Sequence, residues 1–192
     1  MQVSLLFLSA TAASFLGCMT ASTPAAPAVS STTLHHEPFR SLEGRFSVEF
    51  PPGMTPEIGA EKLDPGCTIH RAEAKKGAVY FTVDYIDLKR ATPIDDERDL
   101  DGTRDGIMRL FNGVIEEETR ISIEGFPGRQ LRARGDSPFG PIAYLSRNYI
   151  VGTRLYAVIV TYPLRTQEPQ DRVDSFLRSF RLLPEGHAGL LP

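Results

Sequence analysis

The chain has little cysteine, no tryptophan and no charged side chain before Glu37. Cys18 and Cys67 are the two cysteines in 192 residues, too few for a multi-bridge disulfide framework or a thiolate zinc cage. Neither charge sign dominates. The 21 Lys+Arg and 24 Asp+Glu are mixed along the chain and leave a net charge of −3, so no nucleic-acid partner is expected. No apolar run reaches the roughly 20 residues that a membrane-spanning helix takes. No repeat at a solenoid period is visible, which excludes a stacked-repeat architecture.

What is present begins at the start. An apolar stretch of about 14 residues, Val3 to Leu16, has the length of a signal-peptide core rather than of a membrane span. It ends in Phe15-Leu16-Gly17-Cys18, which resembles a bacterial lipobox, where a small residue precedes the cysteine that becomes acylated. Two departures leave a second outcome open: the segment has no Lys or Arg at its head, and Phe15 stands where that pattern usually has Leu. The alternative is an ordinary cleaved signal, cut between Ala21 and Ala28, with Cys18 discarded. The leading expectation is lipidation at Cys18, with more than one acyl chain, as stable anchoring requires. Met19, not Asp, follows the cysteine, so no inner-membrane retention signal is seen.

The expected layout is a signal peptide at 1–18, a disordered Ala/Pro/Ser/Thr tether at 19–33, a globular domain at 34–183 and a flexible tail at 184–192. The tether is small, uncharged and Pro-interrupted, and cannot bury enough apolar surface to offset its ordering entropy. Roughly 150 residues suit one domain with a real core. With Cys18 lipidated, Cys67 has no partner for an intramolecular bridge and is expected to sit free and buried.

Within the domain, Arg45–Phe50 alternates as a half-buried strand, stopped by Pro51-Pro52-Gly53. Thr68–Ala74 and Ala78–Asp87 read as a hairpin around Lys75-Lys76-Gly77. A helix follows, with Thr92-Pro93 as its start, Asp95, Asp96 and Glu97 at the positive end of its dipole, Leu100, Thr103, Ile107, Leu110 and Phe111 on one stripe, and Gly113 as its stop. Val114–Glu124 and Arg129–Arg134 flank a turn at Gly125-Phe126-Pro127-Gly128, and Ile142–Val151 and Arg154–Tyr162 flank Gly152-Thr153. The apolar run Leu155–Val160 is expected at the sheet centre. A second helix carries Val173, Phe176, Leu177 and Phe180. Hairpins dominate, so the fold class is α+β, a mostly antiparallel β-sheet flanked by about two helices.

Several phrases in this order resemble the PsbP-like superfamily, which includes bacterial lipoproteins of the DcrB type. They are Gly44-Arg45-Phe46-Ser47-Val48-Glu49-Phe50-Pro51, Gly125-Phe126-Pro127-Gly128-Arg129, Arg154-Leu155-Tyr156-Ala157-Val158-Ile159-Val160 and Phe176-Leu177-Arg178-Ser179-Phe180. The resemblance implies a PsbP-like α/β/α sandwich in proteins that mostly bind other proteins. It supplies no binding residue that maps onto this chain.

No catalytic set is evident, and no cofactor or metal is implied. Gly135-Asp136-Ser137 resembles the start of a hydrolase block, yet Ser137 precedes a proline and the only later histidine is His187. Arg134-Gly135-Asp136 spells an adhesion tripeptide in what reads as an exposed loop. His35-His36-Glu37 reads as a solvated linker end, and His70 lies in a strand whose facing the pattern leaves open. Glu116-Glu117-Glu118 can face Arg129, Arg132 and Arg134 across a turn, most simply as a solvated sheet face, or else as an electrostatic docking patch. Phe81, Tyr85, Tyr144, Tyr149 and Tyr156 can line a ligand groove or, more simply, fill the core. The functional expectation is a non-enzymatic, lipid-anchored envelope protein, exported to the outer membrane or periplasm-facing, whose partners are the membrane and another envelope protein. The alternative is a small-ligand or hydrophobic-segment binder, secreted if Cys18 is not lipidated.

Overall fold

The computed structural model describes residues 37–64, 67–88, 95–166 and 168–184. Cys18, the export segment, the tether and the tail beyond Pro184 lie outside the described residues. Among the described residues no helix is long and apolar enough to cross a membrane.

One large sheet organises the chain. It holds β3 (Glu57–Asp64), β4 (Cys67–Lys76), β5 (Val79–Asp87), β6 (Val114–Ile123), β7 (Phe126–Ser137), β8 (Gly140–Val151) and β9 (Arg154–Pro163), in the order β3-β4-β5-β9-β8-β7-β6. Every neighbouring pair is antiparallel. A smaller sheet sets β2 (Phe46–Val48) between β1 (Phe39–Ser41) and β10 (Arg181–Leu182). The helices are α1 (Asp96–Phe111) and α2 (Gln170–Ser179). The class is the expected one, α+β with a mostly antiparallel sheet and two helices.

Side chains alternate along each strand, so each face of the large sheet collects its own set. On one face Phe81, Val83, Tyr85, Leu145, Tyr149, Tyr156, Val158 and Val160 merge with Phe46, Val48 and Phe50 and with Val173, Phe176, Leu177 and Phe180 into the main core. Phe46, Phe81 and Phe176 are each at most 1% exposed, and burying a side chain of this kind stabilises by about 1.5–3 kcal/mol. On the other face Leu155 and Ile150 pack with Leu100 of α1. The apolar strand β9 is thus central and contacts apolar partners on both sides, as its composition predicts.

Several boundaries differ from the sequence reading. The Arg45–Phe50 strand is paired only over Phe46–Val48, although Phe50 remains buried beyond its end. β3 escaped the pattern because it is an edge strand with no buried face, and its Ile58 is 77% exposed. α1 starts at Asp96, capped by Asp95, whose carboxylate accepts the Arg98 amide at 3.1 Å. Thr92 and Pro93 lie outside the described residues. The helix is stopped by Asn112 in the left-handed conformation, φ 49°, rather than by Gly113. The β6–β7 turn is Glu124-Gly125, both at positive φ, which matches the twist of a two-residue hairpin. Phe126, Pro127 and Gly128 therefore belong to β7.

Candidate functional site

Register partners in an antiparallel sheet share a face, and the pairings define one row across all seven strands. From β3 to β6 it reads Gly59, Arg71, Asp84, Ala157, Asn148, Arg129 and Arg120. Ala157 is two residues from Leu155, so this is the face that carries α1. All five buried polar or charged residues described, Thr82, Asp84, Arg129, Ser146 and Asn148, lie on this face, in this row or the adjoining one.

At one end of the row Arg71 forks onto Asp84, Nε to Oδ1 at 2.8 Å and Nη2 to Oδ2 at 2.7 Å. Burial pushes the Asp84 carboxyl above its usual range, and Arg71 opposes that shift. Glu73 next to it is also raised by burial, while the Thr82 hydroxyl donates to it at 3.2 Å. In the middle, the Asn148 amide donates to Ser146 Oγ at 2.9 Å, but its Oδ1 is buried with no donor among the described residues.

At the other end Arg129, 5% exposed, is the hub of a charged cluster. Its Nε donates to Glu118 at 3.1 Å, and Nη2 meets Glu97 and, at 3.5 Å, Asp101. Arg104 of α1 reaches the same carboxylates, Asp101 at 3.2 Å and Glu118 at 3.3 Å, and holds Asp105 at 2.8 Å. The Arg129 guanidinium holds the Glu97 carboxyl below its usual range. A cleft of about 370 Å³ opens here, lined by Asp101, Arg104, Glu118, Arg120 and Arg129. The expectation of a solvated face is corrected at Arg129, because α1 covers the strand and supplies Glu97 and Asp101. Arg132 and Arg134 do follow it: they are exposed or half-buried and pair with Glu117 and Glu116. Chemically, the cluster sets three guanidinium groups against the carboxylates of Glu97, Asp101, Asp105 and Glu118, and Arg120 and Glu97 are among the arms that reach solvent.

The remaining candidates are scattered. Ser137 closes the β7–β8 turn, donating to Gly140 O at 2.8 Å and accepting the Phe139 amide at 3.2 Å. His187, the base it would need, lies outside the described residues. Arg134-Gly135-Asp136 runs inside β7 and not in a loop, with Arg134 on Glu116 and Asp136 accepting from Asn112 at 3.3 Å. His35 and His36 lie outside the described residues, and Glu37 is exposed. Among the described residues no group of His, Cys, Asp and Glu is placed to hold a metal. Cys67 is free and half-buried. Asp95, read as an acid at the positive end of the α1 dipole, is its cap residue. The five aromatics are all core residues, none more than 5% exposed.

His70 sits on the main-core face. Its ring stacks on Tyr85 at 4.6 Å, and the Arg154 guanidinium lies over the same phenol at 4.6 Å. Arg154 also forks onto Asp87 at 2.6 and 3.0 Å and donates to Glu43 O at 2.9 Å. The Tyr156 hydroxyl donates to Gly44 O at 2.7 Å. Burial, then nearby Glu43, pushes the Tyr85 phenol up to about 12. These contacts fasten the β1–β2 loop onto the end of the large sheet.

Compared with known proteins, the chain matches no family model and no curated protein. A solved structure from Pseudomonas aeruginosa, the protein of unknown function PA94, is similar over 67% of this chain and 83% of its own, at 11% identity and a TM-score of 0.40. That likeness carries no argument about activity or partner.

Proposed function

We propose that this chain is a non-enzymatic lipoprotein of the cell envelope, anchored through Cys18, whose domain is a PsbP-like α/β/α sandwich that binds another envelope protein. The observation that carries the binding half is the α1–β6–β7 cluster: buried Arg129 is joined by surface Arg120, Glu97 and Asp101, which are 80%, 47% and 46% exposed at their side chains. Mixed charge held in place by a buried hub favours specific docking and steering. The lipobox-like Phe15-Leu16-Gly17-Cys18 and the Ala/Pro/Ser/Thr stretch after it support the anchored half.

The anchor is tested by intact mass of the mature protein taken from a bacterial membrane fraction. A chain starting at Cys18 with diacylglyceryl and acyl additions is expected, and an unmodified start between Ala21 and Val29 overturns it. The docking patch is tested by crosslinking in the envelope. Arg120→Glu is expected to remove a crosslinked partner that Arg40→Glu, on β1, retains. Equal crosslinking by both variants overturns the patch.

A further inference from the structure

Three loops meet at one end of the large sheet. The β4–β5 turn presents Lys75 and Lys76, the chain leaving β9 presents Leu164 and Arg165, and the β7–β8 turn presents Phe139; all five are exposed. They are neighbours because β5, β9 and β8 are adjacent, with Tyr80 opposite Thr161 and Ile142 opposite Pro163. The Leu164 amide donates to Pro141 O at 3.0 Å, which ties the β9 exit to the start of β8. Phe139 is 58% exposed, on a turn that the Ser137 hydroxyl fixes from both sides, and Leu164 beyond β9 is 43% exposed. Two apolar side chains and three cations, with exposed Asp136 also at this end, suit a surface that rests in a bilayer interface with its charges at the headgroups.

The course of the chain into the domain selects the same end. β1 is antiparallel to β2, with Phe39 opposite Val48 and Ser41 opposite Phe46. Phe46 packs on Tyr85 and Tyr156 near the β8–β9 turn, whereas Phe50 packs on Phe176, which in turn packs on Phe81 toward the β4–β5 turn. Glu37 and Pro38, just upstream of Phe39, therefore enter from the side of the Phe139 and Leu164 loops. Fully extended, the residues between Cys18 and Glu37 reach on the order of 60 Å. That is ample slack for this end to touch the membrane that holds Cys18.

We infer that this end of the sheet is a docking edge for an anionic lipid surface, with Phe139 and Leu164 entering the interface and Lys75, Lys76 and Arg165 facing lipid phosphates. The inference rests on the anchored reading for its orientation, and the experiment separates the two. The chain has no tryptophan, so Phe139→Trp and Phe126→Trp each give a single reporter, the second at the β6–β7 turn on the opposite end. Full-length mature protein is placed on vesicles containing brominated phosphatidylglycerol, with the state of Cys18 read by mass. Roughly half the emission is expected to be lost at position 139 and almost none at 126. Adding Lys75→Glu, Lys76→Glu and Arg165→Glu is expected to abolish the difference. Equal quenching at both positions, or none at 139, overturns the docking edge, including in favour of a protein partner at that end. Quenching at 139 by a protein whose Cys18 is unmodified upholds the edge while the anchor falls.

Discussion

Glu73 and Asp87 carry opposite pH signatures. Burial raises the Glu73 carboxyl, so at neutral pH its charge costs stability in the folded state alone. That cost vanishes as pH falls through the raised folded value and on to the unfolded value near 4. Glu73→Gln, which keeps an acceptor for Thr82, is expected to raise the urea midpoint at pH 7 and to lose that advantage below about pH 4. Arg154 instead lowers the Asp87 carboxyl, so its contribution is present above the unfolded value near 4 and is lost in acid as pH falls through the folded one. Gly128, opposite Tyr149 on β8, shows a steric limit. A Cβ there would meet the Asn148 carbonyl at 2.6 Å and the Tyr149 ring at 2.6 Å. Gly128→Ala is expected to cost about 1–3 kcal/mol by denaturant melt. Phe81→Ala, at 0% exposure in the main core, should cost about 3–5 kcal/mol in the same melt.

At the level of elements, the hairpins were legible because alternation and Gly turns agree. β4–β5 and β8–β9 sit where Val79-x-Phe81-x-Val83-x-Tyr85 and Gly152-Thr153 put them, while β6–β7 forms as expected but turns at Glu124-Gly125, so β7 begins three residues earlier than read. β1 and β10 were not, since three residues and two residues carry no period. β3 was not because an exposed edge imposes no pattern. The charged site was half legible: Glu118 and Arg129 could be paired across a turn, but not the burial of Arg129, which depends on Glu97 and Asp101 arriving from α1. The Arg71–Asp84 fork needed strand register, which composition does not encode. α1 itself has one buried residue, Leu100, and is held by its cap and its ion pairs as much as by packing. Asp95→Ala is expected to cost about 1 kcal/mol, read as faster amide exchange in the first turn of α1.

On the scale of the whole molecule, the small sheet joins residues from near both ends of the described chain: β2 pairs with β10, Phe46 opposite Leu182. Phe46 also stacks on Phe180, and Phe50 packs at a tilt on Phe176. A chain ending at Thr166 is expected to keep its hairpins yet bind a hydrophobic dye and lose sharp side-chain resonances, because Phe46, Phe50 and Phe81 would then face water.

The β2–β10 pairing also sets a timetable for synthesis. Residues 39–50 leave the ribosome early, and their β10 pairing and their contacts with Phe176 and Phe180 wait until 173–182 follow, a delay of several seconds at ordinary elongation rates. Through that interval the main core stays open and the chain can be threaded through a narrow pore. For the exported lipoprotein proposed above, closing the core between the two sheets with β10 leaves that threadable interval open.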